Sequence, residues 1–203
     1  MNRILIWDWP VRVGHWLLVA AFALAWLTGE SETFRLLHAW AGGALIGIIG
    51  FRIVWGLVGT RHARFASFVR GPRAVFAYVA GLLHRRHDDA AYAGHNAAGG
   101  WAIVGLLLLG LLTGATGWAT YQELGGEWME EAHEVAASAM LALAGVHVAG
   151  VVVSSLAHGE NLVRAMFTGM KRGRADEAIA SARAWAVPIL LACAAAGAVW
   201  FAQ

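Results

Sequence analysis

Four histidines, His15, His38, His133 and His147, sit in stretches of the chain that are otherwise apolar. Ionisable side chains inside membrane-length apolar stretches are rare and mark functional sites. One alone could equally be a hydrogen bond between packed helices, but four together point to a shared chemistry. His133 and His147 are 14 residues apart, close to four helical turns, so on one helix they share a face at levels about 21 Å apart. With helices that alternate in direction, His38 falls level with His133 and His15 falls level with His147. Two pairs of neutral imidazoles facing each other across helices suit bis-histidine haem b, which needs two axial nitrogens and an apolar slot between helices. Zinc fits less well, since it takes four close ligands and each level offers two His with no Cys or evident carboxylate. A proton relay would bring intramembrane Asp or Glu, and only Glu134, near a helix end, is present. The expectation is two non-covalent haem b groups, one held by His15 and His147, the other by His38 and His133. Arg52 follows His38 by 14 residues and so projects on nearly the same face. An Arg at that depth is costly unless paired, and a haem propionate is the expected partner, with snorkelling to the headgroups as the alternative.

Helices that cross a membrane must position these side chains, and the composition supplies them. Of the 203 residues, 59% are hydrophobic and 14% charged, against roughly 25% charged in a soluble domain, and the mean hydropathy is +0.58. Disorder, collagen, a disulfide scaffold and nucleic-acid binding are excluded on this balance. The single Cys193 allows no intramolecular disulfide, iron–sulfur cluster or covalent c-type haem. Five apolar stretches reach the length of about 17–25 residues that a span requires, over 13–29, 36–58, 97–119, 132–157 and 184–202. The fold class is therefore all-α: an integral membrane four-helix haem-binding bundle over 1–175, plus a fifth transmembrane helix over 176–203. Arg3 and Arg12 before an apolar run, with Ala23-Leu24-Ala25 following, imitate a secretory signal. Trp7, Asp8, Trp9 and Pro10 interrupt it, so a retained helix is expected.

Charge predicts the orientation. The N-terminal segment and the second and fourth connections hold 13 of the 15 Lys and Arg. Glu30, Glu32, Glu123, Glu127, Glu130 and Glu131 occupy the other two connections beside a lone Arg35. The positive-inside rule then places the N-terminus in the cytoplasm and, with five spans, the C-terminus outside. Trp9, Trp55, Trp101 and Trp185 are expected at one interface, and Trp26, Trp118, Trp128 and Trp200 at the other. Pro72–Arg86 and Glu160–Arg172 read as amphipathic segments lying in the cytoplasmic interface. His62, His84 and His87 stand among basic residues and are expected to be solvated or to face headgroups. The acidic loop could steer a basic partner on the outer side, or be an ordinary hydrated loop. A nucleic-acid partner is not expected.

Several runs then resemble the bacterial cytochrome b561 family, which includes the b-type cytochrome subunits of nickel–iron hydrogenases. They are Trp7-Asp8-Trp9-Pro10 before His15-Trp16, Leu37-His38-Ala39-Trp40-Ala41-Gly42, Phe51-Arg52-Ile53-Val54-Trp55-Gly56, His95-Asn96, and His158-Gly159-Glu160-Asn161 running to Met166-Phe167-Thr168-Gly169. The resemblance covers 5–172. It implies a bacterial inner membrane, so that the C-terminus is periplasmic, and a bundle with two haem b groups, ligated from the first, second and fourth helices. That places His15 and His147 on the cytoplasmic haem iron and His38 and His133 on the periplasmic one. It also implies electron exchange with a quinone near the cytoplasmic haem, where His95 and Asn96 match the position. His158 is a second candidate there, and helix capping by Asn96 is the alternative for that residue. Two departures stand out: Ala97 replaces a Pro common after the His-Asn pair, and the fifth span with Cys193 exceeds the usual four.

The function the resemblance implies is transmembrane electron transfer between a periplasmic redox partner and the membrane quinone pool. The partner would be a hydrogenase or dehydrogenase subunit or a c-type cytochrome. The alternatives are a stand-alone superoxide oxidase, with Arg35 helping to attract the anion, and a haem-free transporter or scaffold.

Overall fold

The computed structural model describes residues 2–83 and 94–203, so His84, His87 and the basic end of the first amphipathic segment lie outside the described residues. Among the described residues five helices are long and apolar enough to cross a membrane, and the multi-pass all-α architecture is that expected from the sequence. The first helix, α1 (Trp9–Thr28), begins four residues earlier than the apolar run suggests. Asp8 caps it, its Oδ1 accepting from the Val11 N–H at 2.9 Å, and Pro10 falls in the first turn, where its missing N–H costs nothing. A 3₁₀ turn (Glu32–Phe34) leads into α2 (Arg35–Val58). Two short helices follow, α3 (Phe65–Phe68) and α4 (Pro72–Leu83). Asn96 caps α5 (Ala97–Tyr121). The longest helix, α6 (Glu127–His158), has 32 residues, about 48 Å at 1.5 Å per residue. That exceeds an apolar thickness of about 30 Å, so its Glu-bearing first turns project beyond the membrane. Gly159, at φ 57°, ends it in the left-handed conformation that favours glycine. After α7 (Leu162–Thr168) the chain returns through an extended segment to α8 (Val187–Phe201).

Helix α2 is the hub, packing on α1, α5 and α8, while α6 packs on α5. Small residues make the close crossings. A Cβ at Gly43 or Gly47 would run into the backbone of Gly197 or Cys193 on α8, and Gly110 and Gly114 of α5 admit Ile49 and Ile46 of α2. Such crossings suit a membrane, where backbone approach and dispersion replace the hydrophobic effect between helices. At mid-depth, Ala21, Leu45, Ile49, Leu107 and Met140 form a cluster contributed by four helices.

A feature absent from the sequence reading closes the basic end. Strand β1 (Asn2–Leu5) pairs antiparallel with β2 (Met170–Gly173), Asn2 opposite Gly173 and Leu5 opposite Met170. The Ile6 and Trp7 N–H groups both donate to the Gly169 carbonyl, and Ile179 N–H donates to Leu5 at 2.9 Å. The second amphipathic segment is thus built from a seven-residue helix and a strand. Four-residue strands are too short to show a period against a helical background. Under the ribbon lies a cluster of Ile4, Ile6, Trp7, Val11, Trp55, Ala63, Ala165 and Ala186.

Two expectations fail here for the same reason. Trp55 is not an interfacial tryptophan but 7% exposed, its indole N–H donating to Asp8 Oδ2 at 3.0 Å. His62 is not solvated but also 7% exposed. Its Nε2 bonds the Glu177 carbonyl at 2.8 Å and its ring meets Trp7 edge-on at 6.4 Å. The ribbon and the segment after it cover both, and nothing local in the sequence announces that cover.

Candidate functional site

Towards the acidic end, His38 of α2 and His133 of α6 come together with ring centroids 6.1 Å apart and planes at 84°. His38 Nδ1 bonds the Ala25 carbonyl of α1 at 2.8 Å, and His133 Nδ1 bonds the Thr113 carbonyl of α5 at 2.9 Å. A carbonyl only accepts, so each Nδ1 carries the proton and each Nε2 keeps its lone pair. This is the tautomer a metal-ligating histidine adopts, with its second nitrogen tied to a carbonyl. Two imidazoles on opposite sides of one metal, at bonds of about 2.0 Å, have centroids roughly 6 Å apart. The pair thus fits a bis-histidine haem iron in separation and in protonation. Gly117 of α5 seats the His133 ring, since a Cβ there would approach its Cε1 at 2.7 Å. The orienting carbonyls of Ala25 and Thr113 and the glycine seat escaped sequence reasoning. The seven-residue recurrence of Thr113 and Thr120 on α5, both with buried unpartnered hydroxyls, was the available signal.

Towards the basic end, His15 of α1 and His147 of α6 lie within electrostatic range of one another. His15 meets Trp16 edge-on at 5.0 Å, and its Nδ1 is buried without a hydrogen-bond partner. Arg52 points inward, its guanidinium carbon 5.1 Å from the Phe65 ring centroid and 6.0 Å from that of Phe68, with Nη1 buried and unpartnered. A buried guanidinium nitrogen without an acceptor is costly and suits a carboxylate-bearing ligand. Among the described residues no three His, Cys, Asp or Glu side chains converge as a multi-ligand metal centre requires.

His95 lies between Trp7 and Phe68, at ring distances of 4.4 and 4.7 Å, and its Nδ1 is buried without a partner. Burial pushes this imidazole well below its usual pKa, and the nearby charges of Arg52, Lys171, His147 and His62 add to that, so it stays neutral. Burial likewise lowers His62, against the Glu177 carbonyl that raises it. Asn96 is turned elsewhere. Its Oδ1 caps α5 through Gly99 N–H at 2.7 Å, and its Nδ2 donates to Tyr78 Oη at 2.8 Å. Tyr78 in turn bonds Ser154 at 2.9 Å, so this cluster ties α4, α5 and α6 together. His158 bonds the Ser154 carbonyl at 2.9 Å within its own helix. Beside His15, a cleft of about 290 Å³ opens between α1 and α7, with Arg12, Trp16, Leu17, Met166 and Phe167 among its walls. There Trp16 stacks on Phe167 at 4.2 Å, and Arg12 donates to the Phe167 carbonyl.

Histidine pairs held between membrane helices, in a chain whose single Cys193 forms no Cys-x-x-Cys-His attachment motif, are the ligation expected of a b-type membrane cytochrome. Comparison with known proteins agrees, for the chain belongs to the prokaryotic cytochrome b561 family, whose model matches residues 6–169. Membership places it among the membrane-embedded b-type cytochromes, whose cofactor is haem b. A protein of Escherichia coli K12 described as a probable nickel–iron hydrogenase 1 B-type cytochrome subunit is 28% identical over 141 residues, which is 58% of this chain and 60% of that relative. Its counterpart in Escherichia coli O157:H7 matches to the same extent. The match therefore spans about three-fifths of the length of these curated relatives. No solved structure matches the chain significantly.

Proposed function

We propose that the protein is a two-haem conduit carrying electrons between a redox partner at its acidic face and quinone at its basic face. The opposed His38 and His133 rings, each with its Nδ1 proton tied to a neighbouring helix, carry this reading. His38 and His133 would hold one haem b, and His15 and His147 the other. Each haem supplies a one-electron couple when bound. The helices fix ring planes and tautomers, Arg52 binds a propionate at the basic level, and apolar walls exclude water. Neutral, half-enclosed His95 is the group that can accept a proton from quinol as it is oxidised, or relay one to quinone as it is reduced by gaining it on one ring nitrogen and releasing it from the other. Asn96, engaged in its cap, positions the segment instead, and the aromatic cleft beside Trp16 offers a quinone ring access from lipid. By the positive-inside rule the basic face is cytoplasmic in a bacterial inner membrane and the C-terminus periplasmic. The relatives' description makes a hydrogenase-type subunit the favoured periplasmic partner, with a c-type cytochrome as the other.

The test is haem stoichiometry by pyridine haemochrome with a redox titration. Wild-type protein should hold two haem b per chain, and His133→Ala and His147→Ala should each lose a different one of the two potentials. Full haem content in both variants would remove these histidines from the site, and a single haem in wild type would overturn the two-level layout.

A further inference from the structure

Strand β1 sets Arg3 directly opposite Arg172 of β2, an unusual arrangement because like charges facing each other across a strand pair destabilise it. Arg164 of α7 joins them around a polar cleft of about 300 Å³ that also involves Glu160 and Asn161. All three arginines are exposed, and among the described residues none of their guanidinium groups has a carboxylate in ion-pair range. The carboxylate in the cleft wall is committed elsewhere. Glu160 Oε1 accepts from the Arg172 backbone N–H at 2.6 Å, and its Oε2 lies 4.0 Å from the buried Lys171 ammonium. Asn161 spends its oxygen on capping Arg164 N–H at 2.8 Å. Three guanidinium forks therefore surround one cavity without internal neutralisation, and guanidinium forks match phosphate oxygens bidentately.

We propose that this cleft binds the phosphate group of an anionic phospholipid. Its position selects lipid over soluble phosphate. The cleft lies at the end of the α6 span, just beyond Leu156, Val152 and Val153, which are 79%, 50% and 50% exposed. Acyl chains attached to a phosphate held here would lie along that apolar face. The bound anion would offset the Arg3–Arg172 repulsion and so hold the ribbon that covers Trp7 and His62. Nothing in this assignment depends on the haem ligands.

Native mass spectrometry of the haem-loaded full chain, delipidated and then titrated with phosphatidylglycerol or phosphatidylcholine, tests it. Wild type should take one phosphatidylglycerol in preference to phosphatidylcholine. Arg164→Gln should weaken that binding about fivefold, and Arg164→Gln with Arg172→Gln about twenty-fivefold, from the contribution of one basic side chain near a lipid surface. Arg174→Gln is the control, because its guanidinium is already bonded to Asp176 at 2.9 Å outside the cleft. It should bind as wild type does. Equal weakening by Arg174→Gln, or equal uptake of phosphatidylcholine, would reduce the effect to general surface charge and overturn the site. Displacement of the lipid by millimolar inorganic phosphate would overturn the lipid assignment in favour of a soluble phosphate. An unchanged haem spectrum in each variant shows that the fold is retained.

Discussion

Asp8 is fully buried and accepts three hydrogen bonds, from Val11 N–H at 2.9 Å, Trp55 Nε1–H at 3.0 Å and Thr60 Oγ1–H at 2.7 Å. One carboxylate thus starts α1 and locks the far end of α2 to it. Replacing Asp8 with Ala removes the cap, worth about 1 kcal/mol, and leaves the buried Trp55 indole N–H without an acceptor, at about 1–3 kcal/mol for such a group, with half-buried Thr60 losing its partner as well. Asp8→Ala should therefore lose about 2–4 kcal/mol in reversible unfolding of the detergent-solubilised protein. Asp8→Asn, which keeps one acceptor oxygen for the cap, should lose less. A loss under about 0.5 kcal/mol for Asp8→Ala would mean that water replaces the carboxylate. The Trp-Asp-Trp-Pro run was visible in the sequence as an interruption of the apolar pattern. Its partners at 55 and 60 were not, because 47 and 52 residues separate them from Asp8 and no local pattern spans that gap. His62 was misread for the same reason, since its acceptor at Glu177 lies 115 residues away. The approach of His38 to His133 was legible because a polar residue in apolar sequence needs a partner, and helical rise puts these two at one level.

At the scale of elements, all five spans could be located because membrane thickness sets a minimum run of apolar residues. Where they pack could not. Helix α8 is apolar on every side, so its sequence carries no stripe that chooses a neighbour. The choice lies in backbone proximity: Gly47 of α2 meets the Cys193 carbonyl, and Gly43 meets Gly197. Gly47 stands nine residues after His38, two and a half turns, so α8 covers the face of α2 opposite the histidine. Gly47→Leu should consequently lift α8 from α2 without disturbing the haem ligands. Cys193, the single cysteine and now partly buried, reports on this directly. Its labelling by a membrane-permeant maleimide should become several-fold faster in Gly47→Leu, with the haem absorption spectrum unchanged. Unaltered labelling would show that the crossing tolerates a side chain, and loss of haem would show that α8 supports the site.

Seen as a whole, the molecule is polar along its axis, and α6 is the element that organises this. It carries both His133 and His147, 14 residues apart, so the rise of one helix sets these two side chains about 21 Å apart along its axis. The same helix carries Glu127, Glu130 and Glu131 in its first turns, at the opposite end from Arg164 and Arg172, and all these side chains are exposed. Glu30, Glu32 and Glu123 share the acidic end and are exposed as well, against the single Arg35, which lies over the Tyr121 ring at 5.2 Å. A concentration of one charge sign at the mouth of an electron path raises the encounter rate of an oppositely charged partner by about tenfold or more at low salt. Screening removes the effect as the Debye length falls from about 30 Å at 0.01 M to about 8 Å at 0.15 M. Reduction or oxidation of the reconstituted protein by a basic c-type cytochrome added on the acidic side should therefore slow at least tenfold across that range. Glu127→Gln with Glu130→Gln and Glu131→Gln should slow the low-salt rate and flatten its salt dependence, leaving the rate near 0.15 M almost unchanged. A triple variant with the wild-type salt profile would show that these glutamates are a hydrated loop only. The partner would then have to dock through contacts that charge does not guide, as a permanently associated subunit can.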